Sequence, residues 1–288
     1  MIRKFVCFAV LASLMACGDG NPFTEEEDTS EDKKVTNHHY GEELNSDLTM
    51  NNLRYERARD ELVINNLPFD GADGRYTRNA AKDIGNGFGV YESTRPAGSR
   101  IGYYAVFRRA GTGNAQASAV ATNRYAAYGF GGATAQRLNS NTALPREGEY
   151  VFTGQYAAIR IAGESFQEQY VTGRAYMQID IKDFDTTGAV EGIISRRKLY
   201  DRDGNFVENM TDYVSLATAS INFENKSTGS STATIFDIGG KKEASGKWKG
   251  VFAGPNGREM AGILVVESTA TAGSADAYRE TGAFLTKE

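Results

Sequence analysis

The chain has 288 residues, 40% hydrophobic and 24% charged, with a formal net charge of −5 at pH 7. Its two cysteines, Cys7 and Cys17, and its two histidines, His38 and His39, all lie before residue 40. The rest of the chain therefore excludes a disulfide framework, Ser-His-Asp and Cys-His nucleophiles, and zinc held by imidazole or thiolate.

Residues 1–16 read as a secretory signal. Arg3 and Lys4 form a basic start, residues 5–15 are almost wholly apolar, and small Ala16 precedes Cys17. The apolar run is too short to span a bilayer. Leu14-Met15-Ala16-Cys17 resembles the lipobox of bacterial lipoproteins, in which the cysteine is acylated and becomes the first residue of the mature chain. An ordinary signal peptide with a chance cysteine is the alternative. On the lipobox reading Cys17 is the lipidation site and a membrane is a partner, since each buried acyl methylene contributes about 0.8 kcal/mol.

Residues 17–46 read as a disordered acidic tether. From Gly18 to Ser46 there are nine acids against Lys33 and Lys34, with few apolar residues to offset the entropy of ordering. Without signal and tether, residues 47–288 hold 28 acids and 28 bases. A neutral body with no basic stripe argues against nucleic acid as a partner. Asp19 stands one place later than the position that retains enterobacterial lipoproteins at the inner membrane, which leads to an expectation of the outer membrane.

The body reads as all-β. Glycine is frequent (32), proline rare (5), and Tyr and Phe number 15 each, a mix that favours strands with glycine turns and bulges. Residues 47–143 are expected to form a smaller, handle-like β-rich domain. Leu53-Arg54-Tyr55 and Leu62-Val63-Ile64 suggest a hairpin turning at Arg59-Asp60-Glu61, followed by strands at Tyr103–Phe107 and along Ala117–Phe130. The segment Leu144–Gly148 is the expected joint. Residues 148–288 are expected to form an eight-stranded antiparallel barrel, with strands near 149–161, 171–182, 189–200, 215–225, 231–238, 244–253, 258–268 and 278–286. Period-two alternation directs Ala175, Met177, Ile179 and Ile181 inward, then Ala217, Ala219, Ile221 and Phe223, then Trp248, Gly250 and Phe252. Hairpin signals include Asp203-Gly204-Asn205, Asp237–Gly240 and Pro255-Asn256-Gly257.

Gly246-Lys247-Trp248-Lys249-Gly250-Val251-Phe252-Ala253-Gly254-Pro255, then Glu259-Met260-Ala261-Gly262, then Gly282-Ala283-Phe284, resembles the closing strands of the transferrin-binding protein B barrel. Factor H binding protein and related surface lipoproteins share that barrel. The resemblance covers about the last 140 residues of the chain. It implies a surface lipoprotein barrel preceded by a handle domain. The N-terminal half departs from the transferrin receptors in length and motifs, and a second barrel-and-handle lobe is missing, so transferrin is not the expected ligand. Glycine opposite an aromatic ring is also a packing device open to any tightly curved sheet.

Sequence supplies little for catalysis, and neither an enzyme nor a cofactor is expected. Asp183 and Asp185 before Thr186-Thr187-Gly188 miss the aspartic-protease pattern by one threonine, with no second copy. Asp201-Arg202-Asp203-Gly204-Asn205 has its glycine too early for a calcium loop and reads as a turn. Gly85-Asn86-Gly87-Phe88-Gly89 and Gly129-Phe130-Gly131-Gly132 lack the following helix that a dinucleotide site needs. A transmembrane pore conflicts with the charges expected on the outer barrel wall. What remains is a non-catalytic binding protein on the outer membrane for an unidentified protein or small ligand. Tyr103, Tyr104, Tyr125, Tyr128 and Phe130 are its candidate contact residues, against cross-strand packing as the other reading. A structural envelope lipoprotein facing the periplasm is the alternative.

Overall fold

The computed structural model describes residues 34–68, 74–93, 102–124, 128–138, 142–181 and 187–288. Among these, strands and short 3-10 turns are the only regular elements. The first sheet comprises β1 (Val35–Tyr40), β2 (Asn52–Glu56), β3 (Glu61–Asn65), β4 (Arg75–Arg78), β5 (Gly89–Ser93), β6 (Tyr104–Arg109), β7 (Ala115–Ala121) and β8 (Gly131–Leu138). Their spatial order is β1-β8-β7-β6-β5-β4-β3-β2, so β2 to β8 form a meander and β1 joins its far edge. The chain then crosses from one edge strand to the other, placing Leu48 beside Gly131 and burying Met50 over Gly132.

The second sheet is a closed barrel. It comprises β9 (Gly148–Ala162), β10 (Gln167–Ile181), β11 (Gly188–Tyr200), β12 (Phe206–Asn209), β13 (Tyr213–Asn222), β14 (Ser227–Thr228), β15 (Ser231–Phe236), β16 (Lys242–Ala253), β17 (Glu259–Ser268) and β18 (Tyr278–Lys287). The β9–β18 and β11–β13 pairings close eight antiparallel strands on themselves, with β12 and β14 as short additions. The eight strands expected from alternation are all present. Inward residues fill the lumen: Phe152, Tyr156, Met177, Ile194, Trp248, Phe252, Leu264 and Phe284 belong to one buried cluster. The glycine–aromatic pattern has a direct geometric cause. Phe284 is the cross-strand partner of Gly262 and its ring covers that glycine, while the Tyr156 ring covers Gly282. A side chain at either glycine would occupy the ring's place.

Two sequence expectations need correction. The tether does not run to residue 46, because Val35–Tyr40 is β1, paired with β8 from Val35↔Leu138 to Tyr40↔Thr134. Its acidic neighbours hid a strand whose partners lie about a hundred residues away. Ala217 is exposed rather than inward, because the pairing of β11 with β13 shifts between Val190↔Ala219 and Gly192↔Leu216. That bulge turns Ala217 outward and presents its carbonyl to the Trp248 indole N–H at 3.0 Å.

The first sheet lies against the outer wall of the barrel through a layer dominated by alanine. Ala115, Ala117, Ala119, Ala121, Ala133 and Ala135 meet a barrel surface that includes Ala157, Ile159, Ala261, Ile263 and Ala283. Small side chains on both sides bring the two sheets close. Polar clamps frame this layer. Arg279 reaches Asp47 at 2.7 Å and Glu267 at 2.8 Å, and Thr112 and Asn114 donate to Glu259 at 2.7 and 2.9 Å. The opposite face of the first sheet packs over Leu53, Leu62, Ile64, Tyr76, Tyr91 and Phe107.

Candidate functional site

Three of the sequence-selected aromatics, Tyr103, Tyr104 and Tyr128, are buried. Tyr103 is fully buried in the first sheet's own core and donates its hydroxyl to the Pro68 carbonyl at 2.8 Å. Tyr104 is buried in the layer between the sheets. Tyr128 is buried too, edge-on to Phe166, with the Arg279 guanidinium 5.1 Å from its ring centre. Phe130 is half-buried. Both faces of β7 and β8 are covered, and the rings beside these strands go inside. Tyr125 and Cys17 lie outside the described residues, as do Asp183 and Asp185.

The histidines sit on β1. His38 packs 4.6 Å from the Tyr40 ring, and His39 Nδ1 lies 3.1 Å from both Glu43 carboxylate oxygens. Asp201 closes a hairpin turn by accepting the backbone N–H groups of Asp203 and Asn205, each at 2.9 Å, with Gly204 at φ +83°. Among the described residues no three His, Cys, Asp or Glu side chains gather in a metal-binding arrangement.

Sequence reasoning missed an ionic cluster inside the barrel. On β11 the inward set Val190, Gly192 and Ile194 would continue to Arg196. Instead Arg196 takes φ +51° and the register to β10 shifts, so Arg197 points inward. This bulge re-aims a guanidinium into the core, opposite the side-chain-free Gly173. Arg197 Nη2 donates to both Glu280 oxygens at 2.6 and 2.5 Å, and Nη1 to Asp212 Oδ2 at 2.5 Å. The Tyr156 hydroxyl donates to Glu280 Oε1 at 2.7 Å. Arg160 stacks 3.6 Å over the Tyr278 ring beside them. Glu280 had a legible signal, because it shares the inward phase of Gly282 and Phe284.

Burial dominates the electrostatics of this cluster. It works against the Arg197 charge, but the Glu280 and Asp212 carboxylates outweigh it and hold the guanidinium pKa above its usual value. Burial raises the Asp212 carboxyl pKa despite the neighbouring Arg197. Burial, then the Glu280 charge, pushes the Tyr156 hydroxyl well above the usual range. With side chains of Arg197 and Glu280 fully buried, the cluster acts as a polar plug within a filled barrel. At the opposite mouth, Leu144, Pro145, Tyr150 and Phe252 leave about 10 Å³, room for one water. A small ligand has no lumen to enter there.

The outer wall carries exposed Arg174, Gln178, Glu191 and Lys247, as a water-facing rather than lipid-facing surface does. Large apolar residues are exposed at Val151, Tyr176, Phe206, Val207 and Ile238. The last three sit on hairpins at one end of the barrel.

The fold defines an all-β protein with a closed, filled barrel backed by a curled eight-stranded sheet. No family model matches the chain, and no curated protein matches it. Among solved structures it is similar to a point mutant of the vaccine antigen transferrin binding protein B from Haemophilus parasuis. That match has 15% identity and a TM-score of 0.42, covering 83% of this chain and 45% of that one. It is also similar to isotype 1 transferrin binding protein B from serogroup B Neisseria meningitidis, with 12% identity and a TM-score of 0.37, covering 88% and 43%. A structure titled as a surface lipoprotein matches at 14% identity and a TM-score of 0.34, covering 68% and 79%. The chain spans less than half the length of these two transferrin-binding structures.

Proposed function

We propose that this protein is a lipid-anchored, non-catalytic binding protein of the outer membrane, acylated at Cys17 and displayed at the cell surface. A shortened acidic tether, ending before β1, separates the anchor from the folded body. The observation that carries this reading is the filled barrel: inside it Arg197 pairs with Glu280 and Asp212, and its outer wall is charged. Among the described residues the lumen is filled, so this body meets other molecules with its surface. That favours a protein over a small molecule as the ligand.

The test is protease shaving of intact cells, with an envelope-permeable control and the Cys17→Ser variant. Digestion on intact cells, together with release of the variant from membranes, is the expected result. Protection until the envelope is opened would overturn surface display and favour a structural role facing the periplasm. Continued membrane association of Cys17→Ser would overturn the lipid anchor.

A further inference from the structure

Four hairpin connections gather at one end of the barrel: 163–166, 201–205, 237–241 and 269–277. β12 stands at this end as a continuation of the second hairpin. It pairs with β11 along one edge, through Lys198↔Asn209, Leu199↔Glu208 and Tyr200↔Phe206, with a bulge at Val207 where the register shifts. Among the described residues no strand pairs with its other edge. All its residues are exposed, Phe206 at 54% and Val207 at 50%, and the Phe206 ring is held edge-on against Tyr200. The neighbouring connection carries Ile238, 84% exposed. The Tyr213↔Phe236 pairing leads β12 and this connection off adjacent places on the rim. Sheet edges are ordinarily protected by charge, proline, shortness, a bulge or a covering element. β12 is short and bulged but uncovered and apolar at Phe206 and Val207, and an uncovered apolar edge is a template for strand addition.

Charge gives the surface a preference. The four connections and β12 carry Glu164, Asp201, Asp203, Glu208, Asp237 and Asp276 against Arg202 and Lys241. Of these acids, Asp203 is engaged by Lys82 at 3.4 Å, and Asp201 and Asp237 accept backbone N–H groups of their own turns. Residues 47–288 are neutral as a whole, so this acidic excess is a local asymmetry. The described chain also enters at the opposite end of the barrel, where the Asn37 amide donates to the Asn225 carbonyl at 2.6 Å. The crown is thus remote from the point where the tether joins the body.

We infer that the outer edge of β12 and the acidic crown around it dock an extended, basic segment of a partner protein, which adds to β12 as a further strand. Main-chain hydrogen bonds run along the edge. Apolar side chains of the segment lie on Phe206, Val207 and Ile238, and its Lys or Arg residues face the crown carboxylates. This inference rests on the reading of the protein as a binding protein, and names the surface it uses.

The test is selection of a random-peptide display library on the full-length, non-acylated Cys17→Ser chain. The expected result is enrichment of peptides alternating Lys or Arg with apolar residues. Their binding falls at least tenfold on Val207→Lys with Glu208→Lys, and at least tenfold when alternate peptide amides are N-methylated. Tyr176→Lys, on the barrel flank, leaves binding unchanged. Fluorescence of the single tryptophan, Trp248, reports that each variant is folded. No enrichment, or enriched peptides indifferent to the β12 variants, overturns the inference. Dimerisation of the chain that Val207→Lys abolishes would make the crown a self-interface and overturn it as well. Failure here leaves the shaving result untouched, and a periplasmic body leaves this selection untouched.

Discussion

The two sheets differ in how they meet water, and that difference explains most of their chemistry. In the barrel, β9 and β10 run 15 residues each and alternate between a filled lumen and an outer wall that is partly solvated. In the first sheet the strands run four to eight residues, and every residue of β7 and β8 is buried. One face of those two strands lies against the barrel and the other covers a separate core. The barrel thus spends its polar residues outside and keeps one ionic cluster within. The first sheet keeps polar groups between its layers, where Gln116 donates to Gln136 at 2.6 Å and Gln136 to the Leu53 carbonyl at 3.3 Å. Closure makes a barrel self-sufficient, whereas an open sheet depends on what covers it.

The largest effect should come from breaking the barrel's ionic plug. Arg197→Ala leaves Glu280 buried without its cation, and loss of one partner from a buried pair costs about 3–5 kcal/mol. Replacing Arg197 with Met and Glu280 with Leu together should recover part of that stability, because the buried pair is removed as a whole while Asp212 and the Tyr156 hydroxyl lose their partners. Urea unfolding followed by Trp248 fluorescence measures both. A double variant as unstable as Arg197→Ala would show that the plug does more than satisfy its own charges.

A smaller effect should come from the alanine layer between the sheets. Ala119→Leu adds three carbons where two surfaces are in close contact, and overpacking of this kind costs about 1–3 kcal/mol. If the first sheet depends on its cover, hydrogen exchange in the variant should rise across β6 to β8 before it rises in the barrel. Uniform acceleration in both sheets would mean that they unfold as one unit.

The barrel was legible because its strands are long and present alternate faces to different surroundings, as at Ala175, Met177, Ile179 and Ile181. Its ionic plug was not, because Ser195-Arg196-Arg197-Lys198 reads as a solvated basic stretch until the Arg196 bulge changes its phase. Ala217 misled for the same reason. β1 was hidden because local composition governs a disorder reading, while its order comes from Gln136 and Arg137, far away in sequence. The tyrosines chosen as contacts carried no burial signal, since a ring on a strand covered on both faces looks like one on an exposed loop. Phe206 and Val207 were passed over because they follow a strong turn and show no longer periodicity.

The smallest effect concerns the edge where the two sheets are pinned by side chains. Glu43 lies just beyond β1, accepts the Tyr40 N–H at 3.0 Å, and ion-pairs with Lys249 of the barrel. Burial alone would raise its pKa. The hydrogen bonds from His39 and Lys249 outweigh burial and lower it to about 2, against 4.5 for a free glutamate. A carboxyl depressed in the folded state adds stability that is complete above pH 4.5 and is lost as pH falls towards 2. Because 37% of the side chain is exposed, solvent screening reduces the contribution to about 1 kcal/mol. Asp212 works in the opposite sense. Its pKa is raised on folding, so its ionisation disfavours the fold at neutral pH and that cost shrinks on acidification. Glu43→Gln should therefore be less stable than the parent by about 1 kcal/mol at neutral pH, and the two should converge as pH approaches 2. Asp212→Asn should not show this convergence. Parallel pH profiles for Glu43→Gln and the parent would remove Glu43 as the pin that holds β1 to the barrel.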